Sequence, residues 1–268
     1  MRQKYLWFSD IHLNKSSILN KIRFFKLINK ENPKGIFLTG DISQGLKLSF
    51  HLKIMSAIIN CPIYFVLGNH DFHFSSIEKI NEKMRKICSI HNNLIWMPNV
   101  DTVKLSKTTA LIGVDGWYDA GIGNPEFLKF TTDWILIKEF RSLPSINEKV
   151  AKWREIAKNS ADEAEIKINK AISEGYKKIY LLTHYPPWKE ATRDVGTIME
   201  KFWLSYNTNL TLGKRIKKVM SKHNKVRLTV LSGHTHDQSI IWVRKNVQCI
   251  VNDSNYLSGA QIRNIIFI

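Results

Sequence analysis

The feature that most constrains this chain is a set of five short polar motifs, each placed where an apolar, strand-like run ends. The motifs read "FSDIH" (8–12), "LTGDIS" (38–43), "VLGNHD" (66–71), "LLTHYPP" (181–187) and "LSGHTH" (231–236). In an open α/β sheet, ligands bind at the carboxyl ends of the parallel strands, because the loops there share one edge of the scaffold. The five motifs therefore predict a single site assembled along one sheet edge.

The first hundred residues alternate apolar runs with helical patterns. Strands are predicted at 5–9, 35–40 and 62–68, because each run is bounded by turn signals. Helices are predicted at 16–30, with Ile18, Ile22, Phe25 and Ile28 as the apolar stripe, at 46–60, and after the third strand at 75–91. This βαβαβ order predicts an α/β fold with a parallel sheet and right-handed crossovers.

The remainder of the chain also reads as α/β. Strand-like runs with hairpins are predicted from 94 to 117, and a long helix from about Asn147 to Glu174, which Gly175 ends. The segment between them, 118–134, has no clear period and reads as an irregular loop. Strands follow at 178–184 and 227–232, and the last thirty residues read as three more. Nothing marks a domain boundary, so we expect a single domain over 1–268, with a loop and helical insertion at about 117–175 bordering the site.

Composition excludes several classes of protein. The three cysteines are far apart and odd in number, which argues against a disulfide framework and against a thiolate metal site. No apolar run approaches the ~18 residues of a membrane helix. The amino-terminal apolar run, Tyr5–Phe8, is too short for a secretory signal and reads as a first strand. We therefore expect a cytoplasmic protein without membrane association.

The net charge of +17 raises the question of an anionic partner. Lysines are spread over the whole sequence, and the densest basic cluster is 213–227. Scattered lysines are more typical of a solvated surface than of a nucleic-acid interface, so a nucleic-acid partner is an alternative that we do not favour.

The motif side chains are of the types that bind metal ions. The candidate donors are Asp10, His12, Asp41, Asn69, His184, His234 and His236. Imidazole, carboxylate and amide donors without a thiolate fit Mn, Fe or Zn. Seven ligands exceed what one such ion takes, whereas two ions sharing a carboxylate would use them all. Metal pairs about 3.5–4 Å apart are a recurring device for displacement at phosphorus.

The spacing within the motifs supports this interpretation. Asp10 and His12 are two residues apart, as are His234 and His236, and in an extended chain each pair would point to the same side. The motif glycines at 40, 68 and 233 would let the backbone approach a small ion closely.

Taken in order, these motifs resemble those of the calcineurin-like metallophosphoesterases: Asp-x-His, Gly-Asp, Gly-Asn-His-Asp or Glu, His and Gly-His-x-His. The resemblance implies a four-layer αββα sandwich of two mixed sheets flanked by helices. It implies that one metal is held by Asp10, His12, Asp41 and His236. Asp41 would bridge to a second metal, which is completed by Asn69, His184 and His234.

The resemblance also implies catalytic roles for His70 and Asp71. His70 would face the substrate, stabilise the phosphoryl oxygens and protonate the leaving group. Asp71 would keep the imidazole cationic. The nucleophile would be a hydroxide shared by the two metals.

The subtype is open at this stage. "GDISQGL" lacks the arginine of Ser/Thr protein phosphatases, and the pattern is more similar to the bacterial phosphodiesterase branch. The favoured function is hydrolysis of a small phosphodiester or phosphomonoester, with a nucleotide as one candidate. A nuclease and a non-catalytic binding scaffold are the alternatives. The aromatic residues of "GVDGWYD" (113–119), with Trp134 and Trp188, either form a substrate-recognising rim or pack a loop onto the sheet.

Overall fold

The computed structural model describes residues 2–192, 204–254 and 264–268. Eleven strands are assigned within these residues. In chain order they are β1 (Lys4–Phe8), β2 (Gly35–Thr39), β3 (Ile63–Val66), β4 (Leu94–Trp96), β5 (Val103–Lys104), β6 (Thr109–Gly113), β7 (Lys178–Leu182), β8 (Arg227–Ser232), β9 (Ser239–Arg244), β10 (Val247–Val251) and β11 (Ile265–Phe267).

The strands form two mixed sheets. The first has the order β11-β1-β2-β3-β4, and the second has the order β5-β6-β7-β8-β10-β9. In each sheet four adjacent strands run parallel, and antiparallel strands lie at the edges: β11 in the first sheet, and β5 and β9 in the second. β5 and β6 form the predicted hairpin, whereas β4 joins the other sheet as a parallel strand beside β3.

Seven α-helices have both ends within the described residues. They are α1 (Ile18–Lys30), α2 (Gly45–Ile58), α3 (Ile77–Ile90), α4 (Asp133–Leu136), α5 (Lys138–Arg141), α6 (Ile146–Ser173) and α7 (Leu210–Met220). α6 begins at a capping box in which Ser145 and Glu148 satisfy each other's backbone N–H groups, and the chain turns at Gly175 with φ +88°.

Three apolar clusters hold the layers together. One lies between the sheets and includes Trp7, Phe37 and Leu231. A second packs α1, α2 and α3 against the first sheet, and a third packs α7 and the second half of α6 against the second sheet. This is the predicted αββα sandwich. The predicted stripe of α6 is buried along its whole length, at Val150, Trp153, Ala157, Ala161, Ala164, Ile168 and Ala171.

The apolar stripe predicted for α1 is partly wrong. Ile18 is 51% exposed, whereas Lys21 is 7% exposed and lies on the buried face with Phe24, Phe25 and Ile28. Among the described residues, no helix is both long and apolar enough to cross a membrane. Cys61, Cys88 and Cys249 are all free thiols, as their spacing predicts.

Candidate metal centre

The five motifs meet where β1, β2 and β3 of the first sheet and β7 and β8 of the second sheet end. The prediction of a single sheet edge is therefore wrong, because strands of both sheets contribute to the site. Five of the expected ligands have left-handed backbone conformations, with φ of +52° at Asp10, +38° at His12, +51° at Asp41, +70° at His234 and +61° at His236. Such φ values are uncommon for residues other than glycine. The extended conformation predicted for the two Asp/His-x-His pairs is therefore wrong: sharp turns, rather than strand alternation, direct these side chains.

The motif glycines allow the loops to pack closely around these side chains. A Cβ atom on Gly68 would lie 2.2 Å from Asp41 Oδ1 and 2.6 Å from His184 Nε2. A Cβ atom on Gly233 would lie 1.8 Å from Ser9 Oγ. The chain therefore needs glycine at both positions if the carboxylate and imidazole groups are to converge.

Asp41 lies at the centre of the cluster. Its Oδ2 atom is 3.8 Å from His12 Nε2 and 3.8 Å from His70 Nε2, while its Oδ1 atom is 3.5 Å from His184 Nε2. Three groups of side chains bring one ligand atom each within 4.8 Å of the others: Asp10, His12 and His236; His12, Asp41 and His70; and Asp10, Asp41 and His184. Asp41 therefore faces histidines on two sides.

Asp10 connects the first motif to the last. Its Oδ1 atom is 3.2 Å from His236 Nε2, and its Oδ2 atom accepts hydrogen bonds from Ser9 Oγ and from the backbone N–H of His234. Asp10 is buried, as is His12, whose ring centroid is 5.6 Å from that of His236. The structure thus brings Asp10, His12 and His236 into one group.

Asn69 is oriented by residues outside the motifs. Its side-chain N–H groups donate to Asp133 Oδ1 at 2.9 Å and to Tyr206 Oη at 2.6 Å. Its Oδ1 atom is buried and accepts no hydrogen bond from the described residues. A buried oxygen without a donor is costly, and a cation would satisfy it.

His184 presents a lone pair in the same way. Its Nδ1–H donates to the backbone carbonyl of Thr39 at 2.7 Å, which leaves Nε2 as the acceptor nitrogen. Nε2 is buried and has no hydrogen-bond partner among the described residues. A metal-binding histidine typically donates one ring N–H to a backbone carbonyl, and this hydrogen bond fixes the tautomer in which the other ring nitrogen can bind the metal.

His234 differs from the other expected ligands. Its ring centroid is 5.1 Å from that of His184, but its Nε2 donates to the carbonyl of Tyr206 at 3.1 Å. It lies outside the three compact groups found among the described residues. A ligand role for His234 therefore requires Nδ1.

Burial controls the charge state of the cluster. It lowers the pKa of His12 to about 3, and it also lowers the pKa of His184 and of His234. Burial and the neighbouring carboxylates Asp10 and Asp71 raise the pKa of Asp41 well above its usual value. The contact with Asp10 raises the pKa of His236 although burial opposes it. The neutral imidazoles of His12, His184 and His234 beside closely packed carboxylates offer lone pairs, so these residues fit divalent cations.

Two expectations about the catalytic pair differ from the structure. The Asp71 carboxylate does not contact the His70 ring: it accepts hydrogen bonds from the backbone N–H groups of Ile42, Ser43 and Gly68 at 2.8–3.2 Å. Asp71 therefore fastens the second motif to the third. His70 is not held as a cation either, because burial and His73 lower its pKa to about 4.

The neighbour of His70 is His73, with ring centroids 4.4 Å apart. His73 Nε2 is 2.6 Å from Asp133 Oδ1, so Asp133 contacts both His73 and Asn69. No motif or period in the sequence points to Asp133 or Tyr206, since both lie in irregular segments. The one available signal was the proximity of the irregular segment to the predicted sheet edge.

The aromatic residues of 113–119 pack rather than form a rim. Trp117 and Tyr118 are buried and contact Tyr185. Asp119 accepts hydrogen bonds from the backbone N–H and the hydroxyl of Thr211. These contacts hold the segment after β6 against the strand ends.

Residues 4–238 match the family described as calcineurin-like phosphoesterase. Several solved structures have a similar fold. Phosphopantetheinyl hydrolase from Mycobacterium tuberculosis aligns with a TM-score of 0.62 at 13% identity, covering 94% of this chain and 90% of that one. A dimetal phosphatase from Danio rerio aligns with a TM-score of 0.57 at 12% identity, covering 94% and 87%. The protein TT1561 of Thermus thermophilus aligns with a TM-score of 0.56 at 15% identity, covering 96% and 91%. No curated protein matches the sequence.

A two-sheet α/β sandwich with carboxylates and histidines converging at its strand ends defines a metal-dependent phosphoesterase. The chain belongs to the calcineurin-like phosphoesterase family and is a phosphoric ester hydrolase of the metallophosphoesterase class.

Proposed function

We propose that this protein hydrolyses a small phosphodiester or phosphomonoester with two divalent cations. The observation that carries the proposal is the position of Asp41: one carboxylate oxygen faces His12 and His70, and the other faces His184. A carboxylate placed between two sets of nitrogen donors is suited to bridge two ions.

The proposed ligands divide between two ions. Asp10, His12, Asp41 and His236 would hold the first, in keeping with the contact between Asp10 and His236. Asp41, Asn69, His184 and His234 would hold the second, and the unpaired Asn69 Oδ1 and His184 Nε2 atoms support this assignment. The nature of the ions is part of the proposal, with Mn, Fe or Zn favoured by the mixture of oxygen and nitrogen donors.

His70 is the proposed contact to the phosphoryl group. It is the one residue of the central cluster that is not itself a proposed ligand, and its side chain is 29% exposed. As a neutral imidazole it donates a single N–H to a phosphoryl oxygen. The negative charge of a bound phosphoester would raise its pKa and so favour the imidazolium form, which can protonate the leaving oxygen and return to the neutral ring.

The remaining chemistry belongs to the ions and to the supports of their ligands. When bound, two divalent cations supply a nucleophile at neutral pH and neutralise charge on the phosphoryl oxygens. Asp71 holds the loops of Asp41 and Asn69 at a fixed separation through its three backbone contacts. In place of the catalytic role predicted for it, Asp71 therefore has a proposed role in positioning.

The proposal extends to the organisation of the chain. We propose one domain, with the insertion at about 117–175 bordering the site, because Asp133 of this segment hydrogen-bonds Asn69. The free thiols of Cys61, Cys88 and Cys249 fit a reducing compartment, such as the cytoplasm.

The test combines metal analysis with hydrolysis assays. The purified protein would be loaded with Mn²⁺ and assayed on bis-p-nitrophenyl phosphate, p-nitrophenyl phosphate, cyclic nucleotides and single-stranded DNA. We expect about two ions per chain and turnover of a small ester. Asp41→Ala should lose more activity than the ~10–100-fold typical of a change in an outer-shell residue.

The outcomes separate the alternatives. Selective cleavage of DNA would favour a nuclease, for which the net charge of +17 is the supporting observation. Bound metal without activity on any ester would favour a binding scaffold. Normal metal content and turnover in Asp41→Ala would refute the proposed centre.

A further inference from the structure

A buried chain of polar side chains connects helix α1 to the loop that carries Asp41. Lys21 Nζ lies 3.1 Å from His51 Nε2, and His51 Nδ1 lies 2.6 Å from Ser43 Oγ. All three side chains are buried, with exposed fractions of 7%, 2% and 0%. Lysines are rarely buried without an acidic partner, and no ion pair involving Lys21 occurs in the described parts of the chain.

The direction of these hydrogen bonds follows from the chemistry of the groups. An ammonium can only donate, so Lys21 donates to His51 Nε2, and that nitrogen must be the acceptor. The proton of the neutral imidazole then lies on Nδ1, which donates to Ser43 Oγ. Burial, together with the charges of Lys21 and Lys47, lowers the pKa of His51 to about 4, which keeps the ring neutral.

Ser43 is two residues from Asp41 and is fixed from a second direction. Its backbone N–H donates to Asp71 Oδ1 at 2.8 Å. The same loop is joined to the first motif, because His12 N donates to Asp41 O at 3.0 Å and Leu13 N donates to Ile42 O at 2.8 Å. Backbone hydrogen bonds to the first motif and to Asp71 thus hold the loop next to the metal centre, and His51, which is hydrogen-bonded to Lys21, contacts it from the helices.

We propose that His51 and Lys21 are positioning residues for Asp41, and that they set the affinity of the metal centre through Ser43. This inference rests on the proposed function, because it concerns the carboxylate that would bridge the two ions. A side chain held in a left-handed turn needs contacts that over-determine its conformation. The His51–Ser43 hydrogen bond is such a contact, and Lys21 fixes the tautomer that makes it.

Two double variants separate positioning from packing. An asparagine at position 51 can place its amide where Nδ1 of the imidazole lies, and Lys21→Met removes the ammonium that would otherwise lack an acceptor. Lys21→Met with His51→Asn should therefore retain the contact to Ser43. Lys21→Met with His51→Leu keeps a side chain of similar size at position 51, but leucine has no N–H group to donate to Ser43 Oγ.

The readout is the binding of Mn²⁺ to the purified proteins by calorimetry, with thermal unfolding measured alongside. We expect the asparagine variant to bind within a few-fold of wild type and the leucine variant to bind at least one ion about 10–100-fold more weakly. Lys167→Met is the control for stability, because Lys167 is another buried lysine, bonded to the carbonyls of Met97, Pro98 and Gly113. It should lower the unfolding temperature without changing the affinity for Mn²⁺.

Wild-type affinity for both ions in the leucine variant would overturn the inference and leave the metal centre intact. Equal weakening in the leucine variant and in Lys167→Met would also overturn it, because the effect would then follow stability alone. Absence of Mn²⁺ binding by the wild-type protein would instead contradict the proposed function.

Discussion

Asp133→Leu tests whether the insertion orients a metal ligand. The Oδ1 atom of the buried Asp133 carboxylate accepts from the Asn69 amide at 2.9 Å and also faces His73 Nε2 at 2.6 Å. A leucine, of similar size, has no acceptor for either partner. The Asn69 amide then loses one of the two groups that orient it, and rotation of the amide would direct its own N–H groups at the cation. We therefore expect one of two ions to be lost preferentially.

The expected magnitude follows from the position of Asp133, which contacts a proposed ligand and is not itself one. Outer-shell changes typically cost 10–100-fold in metal affinity, which corresponds to about 1.4–2.8 kcal/mol. Calorimetric titration with Mn²⁺ should then resolve one site near the wild-type affinity and one site weakened by that factor. Turnover measured against Mn²⁺ concentration should shift its midpoint by the same factor.

The control is Asp119→Leu, which removes another carboxylate of the insertion. Asp119 accepts from the backbone N–H of Gly121 and from the N–H and hydroxyl of Thr211, away from the expected ligands. It should leave both affinities unchanged. Two sites of wild-type affinity in Asp133→Leu would show that Asn69 is oriented without Asp133, and the reasoning from this hydrogen bond would fail.

Three further changes test other parts of the structure. Gly68→Ala would place a Cβ atom 2.2 Å from Asp41 Oδ1 and should therefore reduce metal content. Gly175→Ala is the control, because no atom lies within 4 Å of its new Cβ, and it should affect stability alone. Metal analysis measures the first effect, and thermal unfolding followed by circular dichroism measures the second. Mn²⁺ at 100 times its dissociation constant should raise the free energy of unfolding by about 2.7 kcal/mol, and a chelator should reverse the rise in melting temperature. Burial raises the pKa of Asp115 to about 7 in the folded protein, compared with about 4 in the unfolded chain. The stability that the protonated carboxyl contributes is therefore fully present below pH 4 and is lost as the pH rises through 7. Asp115→Asn retains an acceptor for Leu67 and Trp96 and should be more stable than wild type in urea above pH 7 but equal to it near pH 4; equal midpoints at both pH values would contradict the assignment.

The sequence predicts the strand ends well, because each motif directly follows an apolar run of strand length, but it does not show that these strands belong to two sheets. β1, β2, β3, β7 and β8 all end within two residues of a motif residue. The buried stripe of α6 is also predictable, since its period persists over 28 residues. The burial of the first turn of α1 is not predictable in this way. Ile18 has the spacing of the apolar stripe, but no neighbouring layer covers it.

The supports of the site lie beyond prediction from one sequence. Asp133 is 64 positions from Asn69, and Tyr206 is 137 positions from it. Each is a single polar residue in a segment without a period, and only the folded chain brings it to the amide. Lys21 is similar: a lysine on an amphipathic helix predicts exposure, and its partner His51 lies 30 positions away.

Five of the expected ligands lie in left-handed turns, whose conformation depends on the surrounding contacts. A residue other than glycine in a sparsely populated backbone region persists only where its surroundings fix it. Here the loops fix one another: Asp10 N donates to Gly40 O, His12 N to Asp41 O, and Gly233 N to His184 O. Each of these hydrogen bonds joins two motifs that are distant in sequence. The backbone conformation of each turn is therefore fixed by a neighbouring motif. The proposed metal ligands cannot relax independently, because moving one of them breaks the backbone contact that fixes the next.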